Sequence, residues 1–235
     1  MSVPNILATR YASAAMRSIW TPENKIRAER RLWLTVMEAQ ADLGVSFGGD
    51  DPEQVLADYQ AVLDDVDLDS IAEREAITRH DVKARIEEFN ALAGHEHIHK
   101  GMTSRDLTEN IEQMQVLESL RLVRDKMVAT LNQLSRLAAQ FSDQAIAGRS
   151  HNVAAQVTTL GKRFATAIDE MLVAWDHVNE LIERYPARGI KGPMGTAQDM
   201  LDLLGGDESK LDDLEHRVAD HLGFNQVLTS TGQIY

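Results

Sequence analysis

Four polar clusters combine residue types that can move protons or hold anions: Arg10-Tyr11, Arg79-His80-Asp81, Thr103-Ser104-Arg105-Asp106 and Ser150-His151-Asn152. Each lies in a loop or at a helix end, where functional groups gather on a rigid scaffold. A carboxylate beside an imidazole can orient or charge the ring, and a loop histidine can act as a general acid near neutral pH. Thr103 and Asp106 have the spacing of a capping box, and the free N–H groups of the helix they open would favour a carboxylate or a phosphate. Plainer readings stand beside these. Arg79 to Asp81 can simply start a helix, His151 can cap the end of another, and Thr103 can cap without binding anything. The alternating His95, His97 and His99 could form a metal tract, but no attached carboxylate or thiolate pattern accompanies them. They read as ordinary loop or active-site histidines, and no metal is expected.

Those clusters need elements to position them. The segment after Ser104 carries apolar residues at Leu120, Val123, Met127, Leu131, Leu134, Ala138 and Phe141, in steps of three and four that mark one helical face. Neither Pro nor Gly interrupts it from Leu107 to Ala147, so a rod of ~54 Å is expected, ending near Ala147-Gly148. A second long helix is expected from about Ala154 to Arg184, with Leu160, Phe164, Ile168, Met171, Trp175, Val178 and Ile182 inward. The short link Gly148 to Asn152 would make the two antiparallel. Earlier, Thr21-Pro22-Glu23 and Asp51-Pro52-Glu53 are helix starts, with an N-cap followed by Pro. The first of these helices runs to Leu43-Gly44 and the second to near Val62. The acidic run Asp64 to Asp67 reads as a solvated turn. A helix with Val82, Ile86 and Phe89 on one face closes at Gly94. The glycine-rich run Gly189 to Thr196 lacks the spacing of a phosphate-binding P-loop. A short helix covers about Leu211 to Leu222.

The expected fold is therefore all-α, a truncated long-helix bundle with an N-terminal helical domain over 1–105 and the first part of the bundle over 106–235. The two long helices leave wide apolar faces that need partners. A net charge of −13 argues against a nucleic-acid-binding surface, since no basic face offsets it. No cysteine is present, which excludes disulfides and thiolate chemistry. No 18-residue apolar run exists, and the N-terminus shows no apolar signal core, so no membrane association and a cytoplasmic location are expected.

Taken in order, the clusters carry a resemblance that none carries alone. Arg10 to Trp20, Thr78-Arg79-His80-Asp81-Val82, His99 to Asp106, Gly148 to Asn152 running through Thr158 to Arg163, and Thr231-Gly232-Gln233 resemble the adenylosuccinate lyase family of the fumarase/aspartase superfamily. The match covers essentially the whole chain. Two positions depart from the family pattern: Ser150 stands where a threonine is typical, and Val153-Ala154-Ala155-Gln156 replaces the commoner Gln-Pro-Ala-Gln. Neither removes a side chain that the chemistry requires.

What the resemblance implies is a carbon–nitrogen lyase of purine biosynthesis. It would release fumarate by β-elimination from succinyl-AMP, giving AMP, and from the succinylaminoimidazole carboxamide ribotide. By position, His151 would be the general acid at the departing nitrogen. His80 and His99 would surround the succinyl and phosphate groups and help orient it. Arg10 and Tyr11 would hold the nucleotide beside Arg79 and Asp81. Thr103 and Ser104 would hold the succinyl carboxylate, and Gln233 would also contact substrate. No cofactor is implied. A homotetramer with active sites shared between subunits is. The family's base is a serine in a Ser-Ser-x-Met-Pro-type loop, absent from these residues, so the chain is expected to be roughly the first half of the enzyme, with the base beyond Tyr235. A sister lyase such as a carboxymuconate cycloisomerase shares the Thr-Ser-x-Asp loop, though Arg10-Tyr11 and Thr78 to Asp81 suit a nucleotide better. A non-catalytic helical interaction fragment is the third reading.

Overall fold

The computed structural model describes residues 5–231. After a π-helical turn over Leu7–Tyr11 come α1 (Ala14–Ile19), α2 (Pro22–Asp42), α3 (Pro52–Ala61), α4 (Leu68–Thr78), α5 (Asp81–Ala93) and α6 (Ser104–Gln140). A hairpin follows, β1 (Ala145–Ser150) and β2 (Val153–Thr159), then α7 (Leu160–Arg184), α8 (Gln198–Leu203) and α9 (Glu208–Leu222). Among the described residues the fold is mainly helical, as the sequence implies, with that hairpin and an isolated bridge between Ala187 and Val227 as extended structure.

Two compact units arise, one from residues 1–116 and 185–235, the other from Leu117–Arg184. These bounds differ from a division at 105/106, because the chain after Tyr185 returns to the first unit. There Arg188 Nε donates to Asp106 Oδ1 at 3.1 Å, and Asn110 exchanges hydrogen bonds with Gly189 N–H and C=O.

In the first unit, the caps written in the sequence form. Thr21 Oγ accepts from Asn24 N–H, and Asp51 from Glu53 N–H, with Pro at the start of each helix. Helix α2 buries Leu32, Trp33, Val36 and Met37; Trp33 stacks on Phe89 of α5, and Tyr59 of α3 with Val218 and Leu222 of α9 belongs to the same unit's buried set. Arg30 is fully buried, and its guanidinium donates to the carbonyls of Val62 and Leu63 and to Glu88 at 2.6 Å. The acidic turn is thus fastened from inside while Asp64 and Asp67 face solvent. Helix α4, which the sequence pattern did not mark, lies between that turn and Arg79.

The second unit holds the rest of α6, the hairpin and α7. Helix α6 is unbroken, as expected, but ends at Gln140 instead of near Ala147, and α7 starts at Leu160 instead of Ala154. The intervening residues form an antiparallel hairpin whose register runs from Ala145↔Thr159 to Ser150↔Val153, with a bulge at Gly148/Arg149. Ile146, Val153, Val157, Thr158 and Thr159 are β-branched, which lowers helix propensity and suits a pleated strand. His151 and Asn152, with φ of 49° and 63°, supply the two left-handed residues that a tight two-residue hairpin turn demands. Gly161 N–H donates to Phe141 O at 2.8 Å, and the Phe141 and Phe164 rings stack at 6.2 Å, closing the far end of the hairpin. On α7 the expected inward residues Phe164, Ile168, Met171, Trp175 and Val178 are half-buried, while Leu172, Val173 and Leu181 are exposed. Within this unit the long helices leave apolar surface uncovered, as the sequence anticipates.

Candidate active site

Helix α5 starts at His80, whose Nδ1 accepts the Lys83 N–H at 3.2 Å and caps the helix. The plain reading of Arg79 to Asp81 as a helix start is therefore correct as far as it goes. Arg79 caps the preceding helix in the left-handed region, at φ 53°, and is exposed. Helix α6 starts at Ser104. Thr103 N–H donates to Asp106 Oδ2 at 3.0 Å, the reciprocal half of the capping box.

The two helix starts meet. Ser104 Oγ and His80 Nε2 stand 3.4 Å apart, and with Asp81, Lys25 and Arg105 they line a cleft of about 380 Å³. That volume lies within the range of small-molecule sites, roughly 300–1,000 Å³. Lys25 pairs with Glu112 across the cleft at 3.0 Å. Burial alone would raise the Asp81 carboxyl, but the Arg85 guanidinium at 2.9 Å, the Val82 N–H and His80 together hold Asp81 below the usual range. Arg85 also contacts Glu29 at 2.8 Å. Glu29 is fully buried, and desolvation pushes it up to about 7 against the pull of Arg85 and Lys25. Asp106 does not line the cleft. It is fully buried and accepts from Thr103, Arg188, Lys191 and Gly192, so its carboxylate moors the glycine-rich loop to the start of α6.

His99 sits in the turn before α6, at φ 67°, and its Nδ1 accepts the Trp33 indole N–H at 3.0 Å. Burial, reinforced by His80, lowers it to about 4. His95 and His97 are otherwise engaged. His95 Nε2 pairs with Asp58 and His97 Nε2 with Asp50, each at 2.8 Å, and the Lys100 ammonium stands 2.7 Å from His97 Nδ1. Asp50, His95 and His97 bring potential donor atoms within 4.8 Å of one another, but the lysine already supplies the positive charge there.

Arg10 and Tyr11 are not among the residues that line this cleft. Arg10 and Tyr11 are exposed on the π-helical turn, and Tyr11 is 75% exposed. His151 belongs to the second unit, exposed at the hairpin tip and not at a helix end. Gln233 falls outside the described residues. Sequence reasoning missed Lys25, Glu29, Trp33 and Arg85 as contributors. Their positions on α2 and α5 mark them as helical, but nothing local shows that Lys25 meets Glu112 or that Trp33 meets His99.

The family model described as Lyase matches residues 9–200, most of the chain. The chain belongs to the Lyase family. Adenylosuccinate lyases of Saccharomyces cerevisiae and Schizosaccharomyces pombe are 34% and 35% identical to it, each over 97% of the chain. The chain spans about half the length of these curated relatives, 48% of each. Among solved structures, a fumarate lyase from Mesorhizobium sp. BNC1 superposes with a TM-score of 0.77 at 22% identity, covering 94% of this chain and 50% of that one. The 3-carboxy-cis,cis-muconate lactonizing enzyme of Pseudomonas putida gives 0.79 at 18%, covering 96% and 50%. These two likenesses establish the lyase fold. Among the described residues, no helix is long and apolar enough to cross a membrane.

Proposed function

We propose that this lyase chain is the N-terminal portion of an adenylosuccinate lyase, which eliminates fumarate from succinyl-AMP and from the succinylaminoimidazole carboxamide ribotide. The observation that carries the reading is the match of nearly the whole chain to adenylosuccinate lyases at 34–35% identity. The cleft supports it: His80 and Ser104 meet at a helix N-terminus, whose free N–H groups favour an anion. Removal of the proton beside a carboxylate builds an aci-carboxylate, and preorganised donors of this kind stabilise its added charge. In this reading Thr103, Ser104, His80 and His99 attend the acidic groups, and Arg10, Tyr11, Arg79 and Gln233 attend the nucleotide. His151 protonates the leaving nitrogen. The base comes from a serine loop outside these 235 residues. The uncovered apolar residues Val123, Val128, Leu172 and Val173 support a homotetramer, which light scattering of the complete enzyme would check.

The loss of absorbance at 280 nm with succinyl-AMP tests the reading. In the complete enzyme His151→Ala should lower kcat and kcat/KM together, because an acid for the leaving group acts in the transition state. Arg10→Ala should chiefly raise KM. The 235-residue chain alone should be inactive, since losing a general base costs ~10²–10⁴-fold. A folded, assembled His151 variant with kcat near the parent's would refute the assignment.

A further inference from the structure

We propose that Trp33 is a positioning residue that pins His99 as the neutral imidazole with its proton on Nε2, so that His99 donates a hydrogen bond to an oxyanion of the substrate and takes no part in proton transfer. This rests on the lyase reading for its substrate, but not for its geometry.

An indole N–H can only donate. With Trp33 Nε1 3.0 Å from His99 Nδ1, that ring nitrogen must carry a lone pair. The single proton of the neutral ring is then on Nε2, and adding a second at Nδ1 would set two N–H groups against each other. Trp33 cannot yield. It is 1% exposed, stacked on Phe89 with ring centroids 6.3 Å apart, and meets the His99 ring edge-on at 87°. The backbone adds its own constraint, since His99 occupies the left-handed region at φ 67°, which few non-glycine residues adopt. The depressed basicity of His99, caused by burial and by His80, agrees with a ring kept neutral. His80 is arranged in the same sense by a different donor. The Lys83 backbone N–H occupies its Nδ1, leaving Nε2 facing Ser104 Oγ. Each imidazole, its Nδ1 occupied by an obligate donor, is left with Nε2 as its N–H donor. A donor of this kind suits a carboxylate or phosphate oxygen, the shared chemistry of the two acidic ends of the substrate.

The test reads the tautomer directly. Long-range proton–nitrogen spectra of the ¹⁵N-histidine-labelled chain at pH 7.5, with His99 assigned by its loss in His99→Gln, should show a bare Nδ1 and a protonated Nε2. A protonated Nδ1, an imidazolium, or a tautomer-averaged ring overturns the proposal. Trp33→Phe keeps the ring and removes the donor, so its His99 signals should move toward the averaged position. A pure Nε2–H tautomer in that variant would show that Trp33 is not the pin. In the complete enzyme, His99→Gln retains an N–H and should keep kcat within tenfold of the parent, whereas His99→Leu should lose a hundredfold or more. Equal loss in both would return His99 to proton transfer. Inhibition constants of the Leu variant then separate the two anions: a tenfold weakening for fumarate marks a carboxylate partner, the same for AMP marks the phosphate, and no change for either overturns the donor role. If the parent enzyme shows no lyase activity, the proposed function falls while the spectra still decide the tautomer.

Discussion

Asp106 Oδ1 and Arg188 Nε stand 3.1 Å apart with both side chains fully buried, although 82 positions separate them. The pair ties the glycine-rich loop to the helix that opens beside the cleft, and Glu109 adds a second contact to Arg188 at 2.7 Å. Asp106→Asn places an amide where Thr103, Lys191, Gly192 and Arg188 all donate. Removing one partner of a buried pair typically costs about 3–5 kcal/mol, and here Glu109 would still offset part of the Arg188 charge. Denaturant unfolding of Asp106→Asn should show a loss of that order. Adding Arg188→Met should recover part of it, since the stranded charge goes too. A single variant within about 1 kcal/mol of the parent would mean that the network holds nothing in place.

Glu29 and His99 give the first unit two opposed dependences on pH. Burial raises Glu29 from 4.5 to about 7, so its contribution to stability is full below pH 4.5 and lost as pH rises through 7. Burial lowers His99 from 6.5 to about 4, so its contribution is full above pH 6.5 and lost as pH falls through 4. Each amounts to about 3 kcal/mol, and between roughly pH 4.5 and 6.5 the two slopes oppose each other. Glu29→Gln should therefore leave a stability that rises with pH across that window, and His99→Gln one that falls. Melting temperatures by circular dichroism from pH 4 to 8 would show both. Parallel curves for parent and variants would contradict the two shifts.

Much of this molecule is written locally. Thr21-Pro22 and Asp51-Pro52 specify their helix starts by cap chemistry, and Gly94 closes α5 at φ 77°, a conformation glycine adopts without strain. The capping box of Thr103 and Asp106 and the unbroken α6 follow from spacing of the same kind. The hairpin escaped because Ala145 to Thr159 has many alanines, which suit a helix, and its decisive feature is a pair of left-handed residues at His151-Asn152. No glycine marks that turn. The cleft escaped in another way. His80 and Ser104 were legible as functional types, but their meeting depends on α5 and α6 packing, and Lys25 reaches Glu112 across 87 positions. Residue type shows what a side chain could do. Long-range packing decides what it does it with.

Gly161 is a place where that packing allows no side chain. A Cβ there would collide with the Ala138 carbonyl and come within 2.8 Å of Phe141 O. Both are backbone atoms at the end of α6, and neither can rotate away. Gly161→Ala would ordinarily stabilise a helix interior by about 0.5–1 kcal/mol. Here it should destabilise by about 1–3 kcal/mol, because the approach of α7 to the end of α6 must open. Thermal unfolding with far-ultraviolet dichroism gives the sign. A gain in stability would show that the close approach is not maintained in solution.

His151 offers the sharpest separation of structure from chemistry. Its φ of 49° at an exposed hairpin tip is a conformation that costs a non-glycine residue about 1 kcal/mol or more. Nothing in the fold requires an imidazole there, since the ring is exposed and the turn needs only a left-handed backbone. His151→Gly should therefore stabilise the hairpin, or cost it nothing, by relieving that strain against the added freedom of the unfolded chain. If His151 is the acid for the leaving nitrogen, the same substitution should lower kcat of the complete enzyme by ~10²–10⁴-fold. A variant that is at least as stable as its parent and yet inactive would separate the two roles. If stability and activity fall together, the residue serves the fold. If stability rises with kcat unchanged, the proton must come from another group.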